Sequence, residues 1–96
     1  MKFAWDEQKE RSNRHKHKVT FSEACLVFAD KYVLNIFDEK HSIKEERWIT
    51  MGQTPNGKIL VVSHTYRNIK NEEFVRIISA RKATKNEIKQ YFERRP

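Results

Sequence analysis

Ninety-six residues, 38% of them hydrophobic, are enough for one small domain over 1–96 that folds around a modest core without disulfides. Lys and Arg number 20 against 13 Asp and Glu, and the net charge of +7 favours a polyanion or an acidic protein as partner. The single cysteine, Cys25, excludes an intramolecular disulfide, and no apolar run nears the roughly 18 residues of a membrane span, so a cytoplasmic chain with no membrane partner is expected.

Residues 2–5 read as a short strand, and Asp6 as the N-cap of a basic helix that runs to about His17. Thr20-Phe-Ser-Glu23 is a capping box, and Phe21, Ala24, Cys25 and Phe28 give the short helix after it one apolar face. Four strands follow, over 32–38, 46–53, 58–66 and 74–81. Thr54-Pro-Asn-Gly57 is a strong hairpin turn, and 67–73 is a looser polar one. A second capping box, Thr84-Lys-Asn-Glu87, opens a final helix with Ile88, Tyr91 and Phe92 at helical spacing. Helices first and a meander after them predict an α+β fold. N-terminal helices pack on a four-stranded antiparallel sheet, and a short C-terminal helix closes the chain.

Register sharpens the picture. A symmetric Pro-Asn-Gly turn sets Arg47 opposite His64, and a turn centred on Lys70 sets His64 opposite Arg76. These three basic groups then share a sheet face with Ile49, Met51, Leu60, Val62 and Ile78. A single bulge in either hairpin breaks the row.

Such a row would fall where the core ends and a cleft can begin, and basic groups there suit a phosphate. A metal-independent ribonuclease needs a base for the 2′-hydroxyl proton, a donor for the leaving 5′-oxygen, and cations for the charge that grows on phosphorus. His15, His17, His41 and His64 are the acid–base candidates, and the planar forks of Arg47, Arg76 and Arg81 suit a phosphate. Each also has a purely structural reading. His64 in an apolar strand fits a hydrogen-bonded sheet residue, Arg76 can pair with Glu46 or Glu73, Arg47 with Glu45 or Glu46, and His41 can simply orient its loop. Arg81 and Lys82 precede the last helix, where they are either solvated or placed beside an anion at its N-terminus. Lys9, Arg11, Arg14, His15, Lys16, His17 and Lys18 form a charge run that serves as a solvated face, an RNA track or a dock for an acidic segment. No metal or cofactor is expected, because His15 and His17 do not share a helix face and Cys25 belongs to an apolar pattern.

Trp5-Asp6, Lys9, Asn13, Lys16-His17, Val19-x-Phe21-x-Glu23-Ala24, Val27-Phe28 and Asp38-x-x-His41 stand in an order and spacing that continue through Glu46-Arg47, Ile49-x-x-Gly52, Gly57-x-x-Leu60-Val61-Val62 and Arg76-Ile-Ile-Ser-Ala-Arg81. Together, over essentially the whole chain, they resemble the BrnT family of bacterial toxins. The resemblance implies a small RelE-like endoribonuclease that inhibits translation, the toxin half of a type II toxin–antitoxin pair. Its partner would be a BrnA-like ribbon-helix-helix antitoxin, and the resulting hetero-oligomer would bind operator DNA through that antitoxin. With it, Arg47, His64, Arg76 and Arg81 are assigned to catalysis, and Lys9, Lys16, His17, His41 and Lys82 to RNA contact. One departure is Lys18, which stands where the family usually has the glycine that ends the first helix. Two other functions remain open: a non-catalytic module that binds RNA or ribosomes, and a co-repressor in a DNA-bound complex.

Overall fold

Local capping dictates where each helix begins. In the computed structural model, which describes residues 1–95, β1 (Lys2–Ala4) leads into α1 (Glu7–His17), and the Asp6 side chain accepts from the backbone N–H groups of Gln8 and Lys9. Thr20 and Glu23 form the reciprocal capping box of α2 (Phe21–Leu26), and Thr84 and Glu87 that of α3 (Lys85–Glu93). Lys18 ends α1 in the left-handed region (φ 59°, ψ 29°) and donates its N–H to the Arg14 carbonyl. The helix thus ends as a glycine would end it, at the steric cost of a Cβ.

The strands β2 (Leu34–Phe37), β3 (Trp48–Gln53), β4 (Ile59–Ile69) and β5 (Glu72–Lys82) form an antiparallel meander, and the sheet order is β1-β5-β4-β3-β2. The expected four-stranded antiparallel sheet is therefore a five-stranded mixed one. β1 lies parallel to β5 and pairs Lys2, Phe3 and Ala4 with Phe74, Val75 and Arg76. Beyond the end of β1, Asn13 of α1 takes over this edge, accepting from the Ala80 N–H and donating to the Ala80 and Val19 carbonyls.

Both hairpins differ in register from the symmetric reading. Pro55, Asn56 and Gly57 make a three-residue loop in which Gly57 has φ 92°, Thr54 N–H donates to the Lys58 carbonyl and Gly57 N–H to that of Thr54. That extra residue pairs His64 with Trp48 rather than Arg47. The expected loose turn at 67–73 is instead tight, with Lys70 and Asn71 both at positive φ; this two-residue turn sets Arg76 opposite Thr65 and His64 opposite Ile77, and a register shift follows between His64 and Ser63. A one-residue slip moves a side chain to the other face of a sheet. Leu60 and Val62 accordingly face away from Ile49 and Met51.

The sheet is covered on both sides. Val19, Phe21, Ala24 and Val27 of the α1–α2 segment pack on Leu60, Val62, Val75, Ile77 and Ala80. On the other face, Tyr91 and Ile88 of α3 pack with Met51, Ile59 and Val61. Tyr91 donates its hydroxyl to Asp30, whose carboxylate also accepts from the N–H groups of Tyr32 and Gln53, so the last helix is tied to the start of the meander. Gly52 is required where the chain after α2 crosses β3, because a Cβ there would lie 2.8 Å from the Val27 carbonyl oxygen.

Candidate active site

A cleft of about 240 Å³ opens on the α3 face of the sheet, floored by Ile49, Val61 and Ser63. Its charged walls are Arg47, Arg81, Asp38 and His41. A turn of 3-10 helix at Glu39–His41 brings His41 back over Asp38, and the imidazole Nδ1 lies 2.8 Å from Asp38 Oδ2. A carboxylate can only accept, so Nδ1 carries a proton, and it is the neutral ring that presents a lone pair at Nε2. The Asp38 side chain is 10% exposed and that of His41 is 60%, so the acceptor is fixed inside while the ring stands at the cleft mouth.

The same loop sets Arg47. Its N–H donates to Ser42 Oγ at 2.9 Å, Ser42 Oγ donates to the Asp38 carbonyl, and the Arg47 carbonyl accepts from Asp38 N–H at 2.8 Å. Of the acidic neighbours, Glu45 pairs with Arg67 and Asp38 with His41, while the exposed Glu46 side chain forms no salt bridge among the described residues. Among the described residues, Arg47 forms no salt bridge, although it is half-buried.

Arg81 is held differently. Its Nη1 and Nη2 donate to the two carboxylate oxygens of Glu87 at 2.8 and 3.0 Å, a forked pair that the α3 capping box fixes from the other side. The guanidinium beside Glu87 holds that carboxyl down at about 2, and the pair raises the Arg81 value in turn. Arg81 is thus a donor already paired with Glu87, and Arg47 a charge without a salt bridge among the described residues.

Ile78 and Ser79, next to the irregularity in β5, line this cleft and also a second depression that Lys9, Lys16 and His17 of α1 border. The basic face of the first helix and the arginine cleft therefore adjoin across β5. His41, Arg47 and Arg81 come together, and Lys9, Lys16 and His17 lie beside them.

Three expected site residues lie elsewhere. His64 is 0% exposed on the α1–α2 face, stacked edgewise between Phe28 and Tyr66. Its Nε2 meets Thr50 Oγ1 at 2.7 Å, its Nδ1 has no partner among the described residues, and burial pushes its pKa down to about 4. The register shifts described above put it there. Arg76 is half-buried between Ala4 and Thr65 and lines neither depression; its charge contributes to lowering the Asp6 carboxyl, after the backbone hydrogen bond from Lys9. Lys82 is exposed and alternates to the opposite face from Arg81.

Asp38 was given no role by sequence reasoning, although the i, i+3 spacing in Asp38-x-x-His41 is what one 3-10 turn needs to join the two side chains. The hydroxyls of Ser63 and Ser79 left no signal of their own.

Comparisons with known proteins bear on this geometry. A family model described as ribonuclease toxin, BrnT, of type II toxin–antitoxin system matches residues 5–87, a span that includes Asp38, His41, Arg47 and Arg81. Among solved structures, the 1.1 Å crystal structure of the Brucella abortus ribonuclease toxin BrnT is similar, with a TM-score of 0.60 and 25% identity over 88% of this chain and 99% of that one. No curated protein sequence matches.

Proposed function

The chain belongs to the BrnT family of ribonuclease toxins of type II toxin–antitoxin systems, and from that premise we propose that it is a metal-independent, RelE-like endoribonuclease that arrests translation by cutting RNA. The observation that carries this reading is the half-buried Arg47, without a salt bridge among the described residues, in one cleft with an imidazole that Asp38 orients through Nδ1. A scissile phosphate between Arg47 and Arg81 places its non-bridging oxygens on guanidinium donors, which stabilise the charge of the phosphorane. His41 Nε2 takes the 2′-hydroxyl proton, and Asp38 stabilises the imidazolium that forms. The 2′-oxygen then bonds to phosphorus, the P–O5′ bond breaks, and water at the open mouth protonates the departing oxygen. The products are a 2′,3′-cyclic phosphate and a 5′-hydroxyl. Lys9, Lys16 and His17 hold the strand where it crosses β5.

Neutralisation falls to a BrnA-like ribbon-helix-helix antitoxin, and the complex binds operator DNA through that partner in the cytoplasm. Among the described residues no helix is long and apolar enough to cross a membrane. The test is RNA cleavage by the purified chain in EDTA, with the product ends identified. Cyclic phosphate termini formed in EDTA support the mechanism. RNA that is bound but stays intact in every condition overturns it in favour of a non-catalytic binding module.

A further inference from the structure

Past Ile49 and Val61 the cleft runs into an apolar groove of about 150 Å³ between β2, β3 and α3. Leu34 pairs with Met51 and Ile36 with Ile49, so these four side chains lie on one face, while Glu87, Gln90 and Arg94 form a polar rim along α3 and its end, the Glu87 carboxylate being already paired with Arg81. β2 is the free edge of the sheet, and Ile36 is 59% exposed on it. An aliphatic edge strand left open is a pairing hazard, and a contiguous apolar patch with a polar rim marks a place where another chain sits.

We propose that this groove docks a segment of the antitoxin, which presents aliphatic side chains to Leu34, Ile36 and Ile49 and a carboxylate to Arg47, an inference that rests on reading the adjoining cleft as the RNA site. The partner class follows from the type II toxin–antitoxin family. Its chemistry follows from the groove: an aliphatic floor with Arg94 on the rim and Arg47 and Arg81 beyond, in a chain of net charge +7. The lining favours a protein over a nucleobase, because the floor offers no aromatic ring for stacking. Ile49 and Val61 belong to both spaces, so a chain seated on them reaches the phosphate position and excludes RNA directly.

The test measures affinity of the full chain for the antitoxin encoded beside it, in parallel with RNA cleavage, for Ile36→Asp and for the control Ile69→Asp at the tip of the β4–β5 hairpin. Ile36→Asp should weaken antitoxin binding at least tenfold, cleave RNA as the parent does, and arrest growth even when the antitoxin is present; Ile69→Asp should change none of these. Arg94→Glu, an exposed rim change, should slow association at low salt. Antitoxin affinity unchanged in both groove variants overturns the proposal. So does loss of cleavage with antitoxin affinity intact, which would make the groove part of the RNA path. Weakened antitoxin binding by Ile36→Asp in a chain that cleaves no RNA upholds the groove and rejects the catalytic reading instead.

Discussion

His41 and Asp38 form a side-chain pair within one 3-10 turn, Nδ1 to Oδ2 at 2.8 Å, with the acceptor almost buried and the ring exposed. The pair does for the imidazole what a rigid scaffold must do for any proton-transfer group: it fixes both tautomer and orientation. His41→Gln should therefore lower kcat for RNA cleavage on the order of 100-fold, and Asp38→Asn on the order of tenfold, with KM little changed in either. Single-turnover cleavage rates check this. Equal, negligible effects of both changes would show that the turn only shapes the loop.

Arg47 and Arg76 should separate cleanly. Removing one donor from a site that stabilises developing charge costs roughly 10²- to 10³-fold, so Arg47→Ala should lose that much activity while Arg76→Ala, outside the cleft, stays near parental. Arg47 forms no salt bridge among the described residues, so its loss strands no carboxylate and the fold should persist. Arg81→Ala is the less informative variant, because it leaves Glu87 without the partner that holds its pKa at about 2. Toxicity on induction, read with the thermal melt of each protein, decides the comparison.

Acid should weaken the fold through His64. Its folded value is lowered from 6.5 to about 4, so between those pH values the unfolded chain binds a proton that the folded chain refuses. Stability is full above pH 6.5 and falls on acidification, at no more than about 1.4 kcal/mol per pH unit from this group. Carboxyls held below their ordinary range, such as Glu87 and Glu23, titrate lower and leave the window from 6.5 to 5 to His64 among the shifted groups. Urea midpoints across that window should slope in the parent and flatten in His64→Leu, with RNA cleavage at neutral pH retained.

Lys18→Gly should stabilise the protein. The residue sits at φ 59° with its N–H used to close α1, so glycine keeps the hydrogen bond and removes the clash of a Cβ. A gain of about 1 kcal/mol, or about 5 °C in melting temperature, is expected by calorimetry. A loss instead would mean that the lysine side chain compensates its backbone.

The helices were legible because their signals are local: Asp6, Thr20 and Thr84 each bond to an N–H two or three residues on. The family was legible because its residues run through the whole chain, and the match over residues 5–87 shows it. The fifth strand was not legible as part of the sheet, since Lys2 pairs with Phe74 and no turn announces a partner so distant in sequence. The candidate site was half legible. Arg47, Arg81, His41, Lys9, Lys16 and His17 do gather around β5, whereas His64 was misplaced because one hairpin closes with three residues and the other with two, lengths that composition does not reveal. Asp38 escaped because its role exists only once the turn has formed.

Glu87 belongs to two structures at once, the forked pair with Arg81 and the first turn of α3. A phosphate that draws Arg81 toward itself competes with that carboxylate, so occupancy of the cleft and fraying of the last helix are thermodynamically linked. By reciprocity, whatever steadies the start of α3 lowers the readiness of Arg81 to exchange partners. The amide protons of Thr84 and Glu87 thus become reporters of an event in the cleft: their exchange with solvent should quicken when a ligand anion arrives and slow again when it leaves.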